Sequence, residues 1–291
     1  MKKTVFLITL VFVFFGVSSS CCGEQMLLAM HVDEPPVIDG VTNDPAWEKA
    51  QEILSLDKAS KLPIKLKAVY TDTEVYIQVS FHDQDESRTH KSWTWDKGRE
   101  IYTVGHDRED TIILKWNMEP EPVDLSILAD NPHHADIWFW KACRTDATGH
   151  ADDKSHILSQ VEERRATKIT SRSGKIMYLL RREDDGTSAY GIDLITDYQD
   201  NVMPRYITQQ PTGSRSDVKA KGIWENGTWT IEFRRDLSTG YQDDIQFTTD
   251  RKFLFGVSRY EIAGRNQNKD LSAPLYGTGD VSEPLWLEFV K

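Results

Sequence analysis

Trp138 and Trp140 stand two residues apart in Asp136-Ile137-Trp138-Phe139-Trp140-Lys141-Ala142. In a strand both rings point to one face, while Phe139 points to the other. Large aromatics on both faces predict a central, buried strand rather than an edge. Two readings fit the pair. The rings fill a core, or they wall a pocket for a flat apolar ligand, since such pockets are lined by aromatics with few polar groups. His133, His134 and His150 flank the strand. Imidazole is a common metal ligand, but adjacent histidines point to opposite faces of a strand, so at most one of His133 and His134 can reach a buried metal. Histidines in such positions are also ordinary surface residues. Catalytic signatures are missing: the chain has no Gly-x-Ser-x-Gly, no phosphate loop, no dinucleotide fingerprint and no His-Glu-x-x-His. A binding role is therefore expected rather than an enzymatic one. Covalent c-type haem is excluded by the lack of Cys-x-x-Cys-His.

The elements that would hold these residues read as short strands. Ile64, Leu66, Ala68 and Tyr70 alternate with polar residues, Asp72-Thr73 turns the chain, and Val75, Ile77, Val79 and Phe81 alternate back. A second hairpin is predicted where Asn226-Gly227 separates Val218–Trp224 from Trp229–Phe233. Further strands are expected over 110–116, 253–260 and 285–289. Asp44-Pro45-Ala46-Trp47 predicts one helical turn, with Asp44 as its cap and Trp47 packing it onto the body. Residues 82–109, with Trp93 and Trp95, read as a long loop over one end. Residues 150–190 read as polar and irregular, a solvated insertion carrying Arg164, Arg165, Lys168, Arg172, Lys175, Arg181 and Arg182. The sum is an all-β fold, an antiparallel β-sandwich with short helical turns.

The 291 residues suit one large β domain, and nine Trp and ten Tyr favour an aromatic core or a flat binding face. A net charge of -11 argues against nucleic acid and anionic lipid, which need clustered cations. Lys2 and Lys3, the apolar run Val5–Val17 and Ser18-Ser19-Ser20-Cys21 have the order of a secretory signal. The expected divisions are a signal peptide at 1–20, a linker at 21–34 and one domain at 35–291. Export, to the periplasm or otherwise out of the cytoplasm, is expected. Membrane contact is expected only through a lipid on Cys21, with ordinary cleavage as the equal alternative because Ser18 suits lipidation poorly. Cys143 is the only cysteine in the body of the chain, so no disulfide framework is expected.

The Trp strand, the Gly222–Phe233 hairpin followed by Arg234-Arg235-Asp236-Leu237, and Lys269-x-x-Ser272 before the last Trp/Leu strand occur in one order. That order resembles the haem-binding gamma subunit of ethylbenzene dehydrogenase and its dimethylsulfide and chlorate relatives. The opening Val37-Ile38-Asp39-Gly40 and Asp44-Pro45-Ala46-Trp47 resembles family 9 carbohydrate-binding modules, which share the sandwich. The first resemblance implies a non-covalent b-type haem held by a Met and a Lys, serving a periplasmic oxidoreductase or a cytochrome partner. The Lys carries over to Lys269. The segment before the Trp strand has no Met; Met118 is nearest, and His134 is a chemically reasonable substitute placed ahead of it. Trp138 and Trp140 would line the cofactor. The second resemblance implies a carbohydrate-binding module of the cell envelope, with Trp93, Trp95 or Trp138 as stacking platforms and Ca2+ held by Asp residues.

Overall fold

The computed structural model describes residues 25–57, 62–259, 280–281 and 283–291. In chain order the strands are β1 (Gln25–His31), β2 (Ile53–Asp57), β3 (Leu62–Tyr70), β4 (Glu74–His82), β5 (Trp93–Asp96), β6 (Ile101–Val104), β7 (Thr111–Asn117), β8 (His133–Lys141) and β9 (Asp152–Ser159). There follow β10 (Thr167–Thr170), β11 (Ile176–Glu183), β12 (Tyr190–Ile192), β13 (Val202–Met203), β14 (Tyr206–Thr208), β15 (Lys219–Glu225), β16 (Thr228–Asp236), β17 (Phe253–Ser258) and β18 (Leu285–Val290). One short helix, α1 (Ala46–Lys49), and two 3-10 turns complete the described elements.

Hydrogen bonds link the main sheet in the order β10-β11-β9-β8-β7-β17-β18-β1-β3-β4-β16-β15, with β2 also on β3. The sheet folds over on itself. β8 lies across from β15 and β16, where Trp140 meets Trp229 edge-on at 4.9 Å and Trp138 faces Phe233 at 6.5 Å. The product is the expected β-sandwich, antiparallel except where β1 runs parallel to β18 and β3.

Alternation explains the layers. On β7 and β8 the register pairs Ile112 with Trp140, Leu114 with Trp138 and Trp116 with Asp136, all on the inner face. Ile113, Ile137 and Phe139 point outward into a second apolar cluster with Leu125 and Leu254. Both predicted hairpins form, and Asn226 and Gly227 take positive φ of 51° and 78°, as a two-residue turn requires.

Four expectations differ from what folds. The segment expected as a linker holds β1, whose Leu27 and Ala29 are fully buried. Residues 150–190 are not irregular, because β9, β10 and β11 extend the main sheet from β8. Burial of their inward residues is hidden in the sequence by charged residues that pair in the fold. The long loop 82–109 carries β5 and β6, which form a separate small sheet with β13. Asp44 does not cap α1: Pro45 is the cap residue with no side-chain bond, and the Asp44 carboxylate accepts from Val37 N at 3.3 Å. Trp47 does pack the turn, buried with Val32, Val69 and Tyr76, and donates to Glu232 Oε1 at 2.7 Å.

Candidate functional site

β8 presents His134, Asp136, Trp138 and Trp140 on its inner face, and the structure decides between the two readings of the tryptophans. Trp138 is fully buried against Trp116 at 5.0 Å and Phe247 at 6.1 Å, with the Arg235 guanidinium 4.8 Å from its ring. Trp140 is fully buried, donates from Nε1 to Asp146 Oδ1 at 3.0 Å, and sits where a Cβ on Gly222 would come within 2.4 Å of its ring. Both rings are core. They line none of the three cavities described here.

His134 and Met118 come together at one end of the sandwich. Met118 N donates to His134 O at 3.1 Å, so the two residues are neighbours across the β7–β8 edge. Their side chains serve different cavities. His134 lines one of about 480 Å³ with Ser155, Arg182, Asp185, Tyr241 and Asp243. Its Nε2 is buried without a partner, and burial lowers the imidazole's affinity for a proton, against the opposing pull of Glu119. It is therefore neutral near pH 7 and can donate a lone pair. Met118 lines a cavity of about 440 Å³ with Pro120, Pro122, Asp244, Ile245, Phe253, Leu254 and Trp286, and with Arg251 and Lys252. The consecutive residues Asp243 and Asp244 stand at the two cavities, one at each. Lys269 lies outside the described residues. The chain is anchored on either side of that segment by Arg259 Nη2 on Asp83 Oδ2 at 2.6 Å and by Ile127 N on Asp280 Oδ1 at 2.7 Å.

A feature missed in the sequence sits beside these cavities. Asp136, Asp153 and Asp244 are all buried, and one carboxylate oxygen from each lies within 4.8 Å of the others. Asp153 is opposite Trp138 in the β8–β9 register, which turns it to the inner face. Burial, then Asp136 and Asp244, push its proton affinity well above the ordinary carboxylate range. Asp136 and Trp138 alternate on one strand, so burial of Asp136 was legible; its company was not, because Asp244 comes from far along the chain.

A second buried network lies on the outer face of β8. Lys141 Nζ bonds Asp152 Oδ2 at 2.5 Å, and Arg215 Nη2 bonds Asp152 Oδ1 at 2.7 Å. These cations hold the Asp152 carboxyl far below the usual range despite its burial. The pairing is structural, and it explains how a lysine can occupy a fully buried strand position.

Trp93, Trp95 and their surroundings form an aromatic group on the small sheet. Trp95 meets Tyr102 at 5.0 Å and Tyr198 at 5.1 Å, both edge-on, and all three keep part of their surface open.

Comparison with known proteins places the chain. No curated protein matches it. Among solved structures, the family 9 carbohydrate-binding module from Caldicellulosiruptor kristjanssonii in complex with glucose is 10% identical, over 92% of this chain and 97% of that one, with a TM-score of 0.39. The same module in complex with cellotriose is 11% identical, over 92% and 95%, with a TM-score of 0.40. The family model for ethylbenzene dehydrogenase matches residues 44–270, which span β8, both hairpins and Lys269, and the chain belongs to that family.

Proposed function

We propose that this chain is an exported, non-covalent haem b subunit that passes electrons to or from a partner oxidoreductase or cytochrome. The observation that carries the reading is the Met118 cavity. Its thioether stands among Ile245, Phe253, Leu254 and Trp286, with exposed Arg251 and Lys252 at the same cavity. The walls are mixed, with Asn117, Glu119, Asp244 and Gln246 beside the apolar side chains. The apolar part suits a porphyrin face, a thioether is a known axial ligand, and two cations suit its two propionates. The cavity at His134 offers a free imidazole nitrogen but polar walls, so Met118 stands ahead of His134, the reverse of the order that sequence distance suggests. Lys269 is the proposed opposite ligand, on the family resemblance. When bound, the haem would supply one-electron chemistry; the chain's part is to hold it, exclude water and set its axial field. Trp138 and Trp140 act as the rigid wall behind β8 rather than as cofactor contacts.

Export rests on the basic, apolar and small-residue order of residues 1–21. A mature protein lacking the first 20 or so residues supports it by mass spectrometry, and a diacylglycerol mass on Cys21 would add a membrane anchor. The test of the haem reading is reconstitution of the purified chain. A Soret band that is shifted by Met118→Leu and Lys269→Ala, and left in place by His134→Ala, is the expected result. Loss of the band with His134→Ala alone would move the ligand to that cavity. No uptake of haem by the wild-type chain overturns the reading.

The partly open Trp95, Tyr102 and Tyr198 favour a second reading, a carbohydrate platform on the small sheet. Retention on insoluble polysaccharide that is lost in Trp95→Ala would select it.

A further inference from the structure

We infer that Asp136, Asp153 and Asp244 form a structural Ca2+ site that ties β8, β9 and the segment after β16 together. Asp244 also lines the Met118 cavity, so the cation site adjoins the proposed haem site but does not depend on it. Each carboxylate is at most 2% exposed, and the three converge from different parts of the chain.

The first argument is unmet bonding. Both oxygens of Asp153 are buried with no hydrogen-bond partner, and so is Asp136 Oδ1. Buried acceptors are nearly always satisfied, and an orphaned one carries a cost that calls for an explanation. Asp153 is fully buried and its free oxygen faces the other two carboxylates. The second argument is charge. Arg235 Nη1 bonds Asp136 Oδ2 at 2.7 Å and is the fully buried cation in direct contact with the group. Three carboxylates against one guanidinium leave an excess of negative charge, to which Asp217, hydrogen-bonded to Asp244, adds, and a divalent cation offsets that excess. The third is distance. Two oxygens each about 2.3–2.6 Å from one Ca2+ are at most about 5 Å apart, and these three fall within that limit.

The donor set selects the ion. Only oxygens are offered, which excludes soft-metal preference. Mg2+ keeps several waters and favours octahedral geometry, whereas Ca2+ accepts irregular cages built by the protein. The remaining bonds already hold the cage in shape. Ile245 N donates to Asp136 Oδ2 at 2.9 Å, and Asp244 accepts from Thr239 Oγ1 at 2.5 Å and Ser214 Oγ at 3.3 Å, which orients both carboxylates. The ion would take the unbonded oxygens of Asp153 and Asp136 and share the Asp244 oxygen that faces them.

The test is a calcium titration of the full purified chain after treatment with EDTA, by calorimetry at pH 7.5, with Mg2+ as the competitor. One Ca2+ per chain, binding at least tenfold tighter than Mg2+, and a melting temperature that rises with Ca2+ are expected. Asp153→Asn should abolish binding yet fold, and should melt at or above the EDTA-treated wild type, since it removes a repelling charge. Asp243→Asn, a neighbour whose carboxylate is outside the triad, should bind as wild type. Wild-type protein that takes no Ca2+ at millimolar concentration overturns the inference and leaves a cluster of protonated carboxyls. Unchanged binding in Asp153→Asn overturns it as well.

Discussion

At the scale of single residues, the tryptophans of β8 were legible and the acids were not. Two-residue spacing fixed which face Trp138 and Trp140 share, because strand periodicity is geometric. It could not tell a core from a pocket wall, since that depends on what stands opposite. Opposite Trp140 stand Trp229 and the bare Cα of Gly222, and the ring is fully enclosed. Trp140→Ala would empty that space and is expected to cost about 3–5 kcal/mol in a denaturant titration. Asp146 would keep Gly222 N at 2.7 Å and Arg88 at 2.7 Å as partners, so the loss is mainly packing. A cost under about 1 kcal/mol would show that the ring is not enclosed as described. The acids were hidden for a different reason. Asp153 looks like half of an ordinary polar pair, Asp152-Asp153, and only the β8–β9 register separates their fates, one to the Lys141 network and one to the inner cluster.

At the scale of elements, strands with clean alternation were found and strands whose buried positions carry charge were missed. β3, β4, β15 and β16 alternate apolar with polar residues, so their pattern survives without knowledge of the fold. β9 reads Asp-Asp-Lys-Ser-His-Ile-Leu-Ser and buries most of it, which defeats any pattern based on hydrophobicity. β1 escaped because the apparent start of the domain was set at Pro35-Pro36. It lies between β18 and β3 in the middle of the sheet, paired over Gln25–Met30 on one side and Ala29–His31 on the other. A chain trimmed to residues 35–291 would leave two open edges and lose the fully buried Leu27 and Ala29. It is expected to lose cooperative thermal unfolding, while a chain trimmed to 25–291 keeps it. A sharp transition for the shorter chain at the temperature of the longer one would show β1 to be dispensable.

At the scale of the whole molecule, the acidic excess is partly internal, and this gives the protein an unusual response to pH. Burial pushes Asp110 up to about 7, although Ser87 N and Trp229 Nε1 donate to its carboxylate and hold part of the shift back. Burial likewise raises Glu232 to about 7, against bonds from Gly40 N and Trp47 Nε1, and Asp184 to about 8. In the unfolded chain such groups ionise near pH ~4. Between that pH and about 8 the folded state therefore holds more protons than the unfolded state, and stability must fall as pH rises. Histidines act in the opposite sense lower down. Burial lowers His90 to about 2 and His133 to about 3, so both stay neutral when folded but take a proton when unfolded below about 6.5, which costs stability as pH falls. The two effects compete below pH 6.5, and above it the acids act without these histidines. With EDTA present, the melting temperature is expected to decline steadily from pH 6.5 to pH 8. The slope in free energy approaches about 1.4 kcal/mol per pH unit for each proton still held only by the folded state. Glu232→Gln should make the decline shallower by removing one of these protons, and saturating Ca2+ should leave the contributions of Asp110 and Glu232 in place. A melting temperature that is flat or rises across this interval would mean that the buried carboxylates are already ionised in the folded protein.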